Sequence, residues 1–129
     1  MIENLITALT LPYPPSVNHY WLQSRTKKRR FISPAGVAFN EAVRAEAIRT
    51  NSMNKIKGRI GIVITLVPGD RIRRDYDNPL KALGDSLMKA NIIADDSQIK
   101  KAEITMCEPD KSVKGGYCKV WLYHLDPVN

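Results

Sequence analysis

Apolar and polar positions follow one another along the chain in patterns that predict four strands. Leu5 to Leu11 is predicted as the first strand, because a run of prolines begins directly after it and closes it. Arg59 to Val67 is predicted as a second strand, in which isoleucine and leucine alternate with glycine, valine and threonine. Both of its faces are therefore largely apolar, which is typical of a central strand covered on both sides. Gln98 to Cys107 and Tyr117 to Leu125 are predicted as two further strands.

Two other segments carry apolar residues at helical spacing. Ser33 is predicted as an N-cap, because Pro34 follows it at the first helical position, and this helix is predicted to run to about Thr50. A second helix is predicted to begin at Asp77 or Asn78 and to bury a stripe of leucines. The segment between the first strand and the first helix shows little periodicity and is predicted as a loop.

The order of these elements indicates an α+β fold. Pro109-Asp110 and Gly115-Gly116 lie between the last two strands and predict a turn that pairs them antiparallel. We therefore predict a single domain, residues 1–129, with a small, mostly antiparallel sheet of about four strands and two main helices.

The net charge of the chain narrows the classes of molecule that it is expected to bind. The 129 residues include 20 Lys and Arg against 13 Asp and Glu, which gives a formal net charge of +7. Such an excess favours a polyanion through counterion release, and nucleic acid is favoured over a membrane because no amphipathic basic helix is apparent. No apolar run reaches the roughly 20 residues that span a bilayer. The start of the chain lacks the features of a signal peptide, so a cytoplasmic protein without a membrane partner is expected.

Acidic residues gather in the stretch RIRRDYDNPLKALGDSLMKANIIADD of this otherwise basic chain. Asp75 and Asp77 precede the second helix, and their side chains point to the same side if the chain is extended there. Lys81 lies in the first turn of that helix, and Asp95 and Asp96 follow its end. Carboxylates among cations suit a site that holds Mg²⁺ against a phosphodiester, because Mg²⁺ prefers oxygen ligands. The stretch predicts a metal-dependent DNA nuclease.

The two carboxylates before the helix also have structural explanations. Asp77 could cap the helix by accepting hydrogen bonds from its free backbone donors. The arginines that precede Asp75 could balance both carboxylates without any metal; they are Arg71, Arg73 and Arg74.

The remaining residues of the stretch have alternatives of the same kind. Lys81 could pair with Asp85 four residues on. The third position of a helix favours glutamate, however, so a lysine there breaks a local rule, as functional sites often do. Asp95 and Asp96 could form an ordinary turn.

The length of the second helix raises a question about how the acids meet. About twelve residues of helix span about 18 Å, so Asp96 leaves the helix far from Asp75. Either the chain after the helix runs back along it, or a second subunit completes the site. The sequence leaves both open.

The predicted loop, SVNHYWLQSRTKKRRFIS, mixes cations and aromatic residues. The cations of this loop are Arg25, Lys27, Lys28, Arg29 and Arg30. They are predicted to bind DNA together with Arg71, Arg73 and Arg74. Tyr20, Trp21 and Phe31 could stack on unpaired bases or pin the loop to the rest of the protein. His19 and His124 are isolated and are predicted to be structural. Cys107 and Cys118 lack the spacing of metal ligands and are predicted to be small buried thiols.

The run RRDYDNPLKALGDSLMKANIIADD resembles the signature of RusA-type Holliday junction resolvases, in which an R-D-x-D-N-x-x-K-x-x-x-D segment is followed by a D-D pair. The resemblance extends to LPYPPSVNHYW, SPAG and KGG and covers nearly the whole chain, as one RusA-like endonuclease domain. It implies catalytic, metal-binding acids at Asp75, Asp77 and Asp96, with Lys81 as the catalytic lysine. Asp95 matches the first acid of the D-D pair, and its role as a metal ligand stays open.

The same resemblance implies a homodimer that cuts four-way DNA junctions with Mg²⁺, one nick per subunit, in recombination and repair. Two alternatives are a non-catalytic basic DNA-binding protein and a less selective nuclease that acts on branched DNA. The sequence does not indicate the preferred cutting sequence, the number of metal ions, the dimer surface, or a chromosomal or viral origin.

Overall fold

Four strands form one sheet, and the two main helices lie on the same face of it. The computed structural model describes residues 2–23 and 30–126. Its elements, in chain order, are β1 (Leu5–Pro12), α1 (Val17–Tyr20), β2 (Trp21–Gln23), β3 (Arg30–Ile32), α2 (Pro34–Arg49), β4 (Ile60–Val67), α3 (Leu80–Lys89), β5 (Ile99–Met106) and β6 (Tyr117–His124). A short 3₁₀ turn, Asp96–Gln98, precedes β5. The α+β prediction is confirmed.

The strand order in the sheet is β1-β6-β4-β5. β6 is antiparallel to both of its neighbours, whereas β5 runs parallel to β4. The prediction that the last two strands pair with each other is therefore wrong. The turn at Gly115-Gly116 does reverse the chain, but it lays Tyr117 opposite Val67, so that β6 pairs with β4. A Cβ atom on Gly116 would collide with the carbonyl oxygen of Val67, and its φ of 78° favours glycine as well.

One face of β4 supplies the centre of the core. Its alternate residues Ile60, Ile62 and Ile64 belong to one buried cluster with Phe39 of α2 and Leu83 of α3. Both helices therefore cover this face, and β4 is the central strand that the sequence predicts.

The other face of β4 is covered differently from the prediction. Val63 and Thr65 on this face are only half-buried. Because Gly61 has no side chain, the ring of Tyr123 from β6 lies directly over it. The prediction of cover on both sides therefore holds for Gly61 and Val67, which are buried, but only in part for Val63 and Thr65.

The segment predicted as a loop contains α1 and the β2–β3 hairpin, in which Trp21 pairs with Ile32. Tyr20, at the end of α1, is completely buried. It packs so closely on α2 that a Cβ atom on Gly36 would lie 2.9 Å from its Cδ1 atom. One buried aromatic residue anchors the described part of this segment, and a single anchor produces no periodic pattern in the sequence. Four of the predicted DNA-binding cations lie outside the described residues: Arg25, Lys27, Lys28 and Arg29.

The two helix starts differ in how well the sequence predicts them. α2 begins after Ser33, whose hydroxyl accepts a hydrogen bond from the Gly36 amide at 3.0 Å, as predicted. α3 begins later than predicted, at Leu80, with Pro79 in the cap position. No helix in the described part of the chain is long and apolar enough to cross a membrane.

Both cysteines are free, but only one is fully buried. Cys118 lies in the core, and burial raises the pKa of its thiol to about 12. Cys107 is half-buried. The prediction of buried thiols is therefore confirmed for Cys118 alone.

A polar contact inside the core ties α1 to both main helices. The hydroxyl of Tyr20 donates a hydrogen bond to Asp85 of α3, and the side-chain amide of Asn40 in α2 donates to that hydroxyl at 3.0 Å. Lys89 lies 3.6 Å from the Asp85 carboxylate and offsets its charge. Burial, followed by the hydrogen bond to Asp85, raises the pKa of Tyr20 to about 12.

This pKa predicts a loss of stability at alkaline pH. Because the pKa of the folded state lies above the usual value near 10, the stabilisation is complete below pH 10 and is lost as the pH rises to about 12. We expect the free energy of unfolding to fall more steeply over this range in the wild-type protein than in Tyr20→Phe. Urea denaturation at a series of pH values measures it, with Tyr76→Phe, an exposed tyrosine, as control. Equal slopes in wild type and Tyr20→Phe would contradict the assignment.

Candidate active site

The loop that leads from β4 to the acidic residues is shaped by an internal ion pair. The Asp70 carboxylate accepts a hydrogen bond from the Ile72 amide at 2.9 Å and pairs with Arg74 at 2.7 Å. The Arg74 guanidinium also donates to the Ile72 carbonyl at 2.9 Å and lies 5.5 Å from the centre of the Tyr13 ring. The neighbouring Arg74 guanidinium lowers the pKa of Asp70. Arg74 therefore holds the loop together.

This arrangement leaves Asp75 and Asp77 without a cationic partner among the described residues. Arg74, which directly precedes Asp75 in the chain, pairs with Asp70 instead. The structure thus does not support the explanation in which the preceding arginines neutralise the two carboxylates. Both side chains are exposed and available as ligands.

The capping explanation for Asp77 is wrong. The cap position of α3 is Pro79, and no side chain caps this helix. Asp77 contributes only its carbonyl oxygen, which accepts a hydrogen bond from the Leu80 amide at 3.1 Å. Its carboxylate therefore has no structural role in starting the helix.

The explanation of Lys81 as the ion-pair partner of Asp85 is wrong as well. Asp85 bonds to Tyr20 and pairs with Lys89, so the predicted pair between Lys81 and Asp85 does not form. Because α3 begins at Leu80, Lys81 is the second residue of the helix and not the third. The argument from the third position fails, but an exposed lysine at the positive end of a helix is still electrostatically unfavourable.

The two acids after α3 play different parts. Asp95 caps the 3₁₀ turn, because its carboxylate accepts a hydrogen bond from the Ser97 amide at 2.8 Å. The side chain of Gln98 completes the cap by accepting from the Asp95 amide at 2.8 Å. The hydrogen bonds from Ser97 lower the pKa of Asp95. The turn explanation is therefore confirmed for Asp95, whereas the Asp96 carboxylate is not the cap and pairs with no cation among the described residues.

Asp96 lies beside α3, because the chain runs back along the helix. Asn91, with a φ of 58°, reverses the direction after α3, and Ile93 then bridges to Ile56. A Cβ atom on Gly84 would lie 3.5 Å from a carboxylate oxygen of Asp96. Gly84 is four residues into the helix from Leu80, which corresponds to about 6 Å along the axis. The return therefore stops about one helical turn short of the start of α3.

The donor chemistry of these acids fits Mg²⁺, which prefers carboxylate oxygens. Within the described residues, however, no three Asp, Glu, His or Cys side chains lie close enough to hold one metal ion. Asp75 and Asp77 lie before the start of α3, and Asp96 lies beside the middle of that helix. The assignment of these residues as metal ligands stays a prediction.

A cleft of about 660 Å³ adjoins Asp75. One wall is the start of α1, with Asn18 and His19, and the opposite wall contains Arg73, Asp75 and Asn78. The sequence interpretation missed Asn18 and treated His19 as structural. The match of PPSVNHYW to the family pattern was the signal that could have directed attention to them.

The two walls of the cleft are joined by hydrogen bonds. The Val17 amide donates to the Asn78 carbonyl at 3.0 Å, which fixes α1 against residues 75–79, here called the acidic turn. The hydroxyl of Ser16 and Nδ1 of His19 lie 2.9 Å apart, so the imidazole is anchored to its own helix.

The predicted DNA-binding cations that the structure describes are spread over several places. Arg73 lines the cleft, and Arg71 is exposed beside a second, smaller depression. Arg30 lies 4.7 Å from the centre of the Trp21 ring. Among the aromatic residues, Tyr20 pins the segment to the core, whereas Phe31 is 47% exposed and free to contact a partner.

Comparison with known proteins identifies the family. Residues 12–117 match the family described as "Endodeoxyribonuclease RusA". A crossover junction endodeoxyribonuclease of Enterobacteria phage HK97 is 43% identical over 120 residues, which cover 92% of this chain and 94% of that protein. The enzymes of that name from Escherichia coli K12 and Enterobacteria phage 82 are 39% and 38% identical, over 71% and 70% of this chain and 75% and 74% of theirs. The chain belongs to the RusA family of endodeoxyribonucleases.

Proposed function

We propose that this protein is a Mg²⁺-dependent endonuclease that resolves four-way DNA junctions by paired phosphodiester hydrolysis, in recombination and repair. The observation that carries the proposal is the 43% identity to the phage HK97 crossover junction endodeoxyribonuclease over nearly the full length of both chains. The net charge of +7 suits a polyanionic substrate.

The roles of the individual residues follow from their surroundings. Asp75, Asp77 and Asp96 would hold the metal, because neither ion pairs nor helix caps occupy their carboxylates in the described part of the chain. Bound Mg²⁺ supplies an activated water and neutralises charge on the phosphate. Lys81, exposed in the first turn of α3, would stabilise the negative charge that develops as the phosphodiester bond breaks.

We further propose that the working unit is a homodimer in which each site takes acids from both subunits. No three acidic side chains of one chain lie close enough to hold a metal ion within the described residues, which supports a site that one chain does not complete. A two-fold dimer also matches the near two-fold symmetry of a four-way junction, so two sites would face opposed strands.

The DNA contacts predict how binding responds to salt. Neutralising a phosphate-contacting cation should weaken binding on all sequences and reduce the slope of log K against log salt by about 1. We expect this for Arg73→Gln, since Arg73 is exposed beside Asp75. Arg59→Gln is the matched control, because Arg59 lies 3.4 Å from Asp126 and outside the cleft. Fluorescence anisotropy at several salt concentrations measures both slopes, and equal slopes would remove Arg73 from the DNA interface.

A substrate panel tests the proposed activity against its alternatives. The panel contains a four-way junction, a three-way junction, a flap and a linear duplex of the same sequence, each with Mg²⁺. We expect cleavage of the four-way junction and little of the others. Cleavage of flaps in preference to junctions would favour a less selective branched-DNA nuclease, and tight binding without cleavage in any divalent metal would favour a DNA-binding protein.

A further inference from the structure

The cleft between α1 and the acidic turn has a lining that suits a nucleobase. Its volume of about 660 Å³ lies in the range of sites for small organic ligands. Tyr13, Pro14 and Ile72 contribute aromatic and apolar surface, against which a planar ring can pack. Asn18 and Asn78 add amide groups, which can donate to and accept from the edge of a base.

Electrostatics argues for a base inside the cleft, in preference to a phosphate. Arg73 and the Asp75 carboxylate both line the cleft and offset each other's charge, so the lining does not attract an anion strongly. Arg74, the cation nearest to Tyr13, is already paired with Asp70 at 2.7 Å. A base is neutral at pH 7 and therefore needs no excess of cations in the lining. The phosphate next to it would then lie at the rim, where Arg73 is exposed.

The cleft is formed before any ligand arrives. The bond from the Val17 amide to the Asn78 carbonyl joins its two walls, and the buried Tyr20 fixes α1 to the body of the protein. Because the walls are already fixed, ordering them adds no free-energy cost when a ligand binds. His19 and Asn18 themselves are exposed on the inner side of α1 and are free to contact a ligand.

We propose that this cleft receives one unstacked nucleobase of the DNA substrate, next to the phosphate that is cut, and that Asn18, His19 and Asn78 contact its edge. The proposal rests on the proposed nuclease function and extends it to the origin of sequence preference. Unstacking costs least for a base that is already unpaired, so a junction whose branch point interrupts pairing supplies such a base more readily than a continuous duplex does. Contacts to the base edge would make cleavage depend on the nucleotide at that position.

The test places 2-aminopurine, one position at a time, around the mapped cut in a four-way junction and records its fluorescence on binding in EDTA. We expect a rise at one position that is lost in Asn18→Ala and His19→Ala. The ratio of cleavage rates with Mg²⁺ between a preferred and a non-preferred base at that position measures the base preference. This ratio should fall about tenfold in both variants. His19→Gln, which keeps a hydrogen-bonding group, should retain part of both effects.

His124→Ala is the matched control, because His124 lines a different depression beside Arg59. It should keep the fluorescence rise and the base preference. Melting temperatures close to that of the wild-type protein would show that the cleft variants still fold. If the protein cuts junctions but no position brightens, or if the variants keep the rise and the preference, the inference is overturned while the nuclease function stands. If no junction is bound or cut, both are overturned.

Discussion

Asparagine in place of Asp75, Asp77 or Asp96 is expected to reduce junction cleavage about a thousandfold or more, while junction binding is retained. Asparagine keeps the shape of the side chain but loses the negative charge that a divalent cation requires. A thousandfold loss corresponds to about 4 kcal/mol of transition-state stabilisation. Single-turnover cleavage of a labelled junction measures the first quantity, and gel retardation in EDTA measures the second.

Asp95→Asn is the matched control for these three variants, since it removes a charge from the adjacent position. The structure gives Asp95 a capping role, and asparagine caps about as well as aspartate. Asp95→Asn should therefore retain most of the cleavage activity. Near-normal turnover in the Asp75, Asp77 or Asp96 variant would remove that residue from the active site.

Mixing two inactive chains is expected to restore nicking if the site is shared between subunits. A dimer of one Asp75→Asn chain and one Asp96→Asn chain contains one site with all acids intact and one with both substitutions. Random exchange makes about half of the dimers mixed, so about a quarter of the wild-type nicking should return. Paired cuts should not return, because each mixed dimer has a single working site. A supercoiled plasmid with an extruded four-way junction distinguishes the nicked from the linear product.

The pairing of Asp75→Asn with Asp77→Asn is the control for this exchange. Both substitutions then damage the acids that come from the same chain, and every site in the mixed dimer is broken. Nicking should stay absent. If mixed dimers of Asp75→Asn and Asp96→Asn are shown to form and no nicking returns, the acids of each active site come from a single chain.

Much of the fold could be predicted because its strongest patterns coincide with its core. β4 alternates apolar residues without interruption, and its core-facing side chains form the centre of the buried cluster. α2 starts with a cap whose hydrogen bond the sequence encodes locally, from Ser33 to Gly36. The order β1-β6-β4-β5 could not be predicted, because a turn shows that the chain reverses but does not show which strand lies beside it.

The sequence names the candidate residues of the site, and their roles stay predictions, but it does not show how these residues are arranged. The spacing of Asp75, Asp77 and Lys81 marked the acidic turn, yet only the fold shows that Arg74 pairs with Asp70. The sequence gives no reason to assign different roles to Asp95 and Asp96. Their roles differ only in the structure, where Asp95 caps the 3₁₀ turn. The contribution of α1 to the cleft depends on a long-range backbone bond, from Val17 to Asn78, which leaves no trace in local patterns.

The most direct test of the central claim is incubation of the protein with an end-labelled four-way junction in Mg²⁺ and, in parallel, in EDTA. Sequencing-gel mapping locates every cut. The proposed function predicts symmetric cuts in two opposed strands with Mg²⁺, intact but bound junction with EDTA, and no cuts from Asp77→Asn. Cleavage that persists in EDTA or in Asp77→Asn, or a junction that stays intact with Mg²⁺ while the protein is bound to it, would contradict the account.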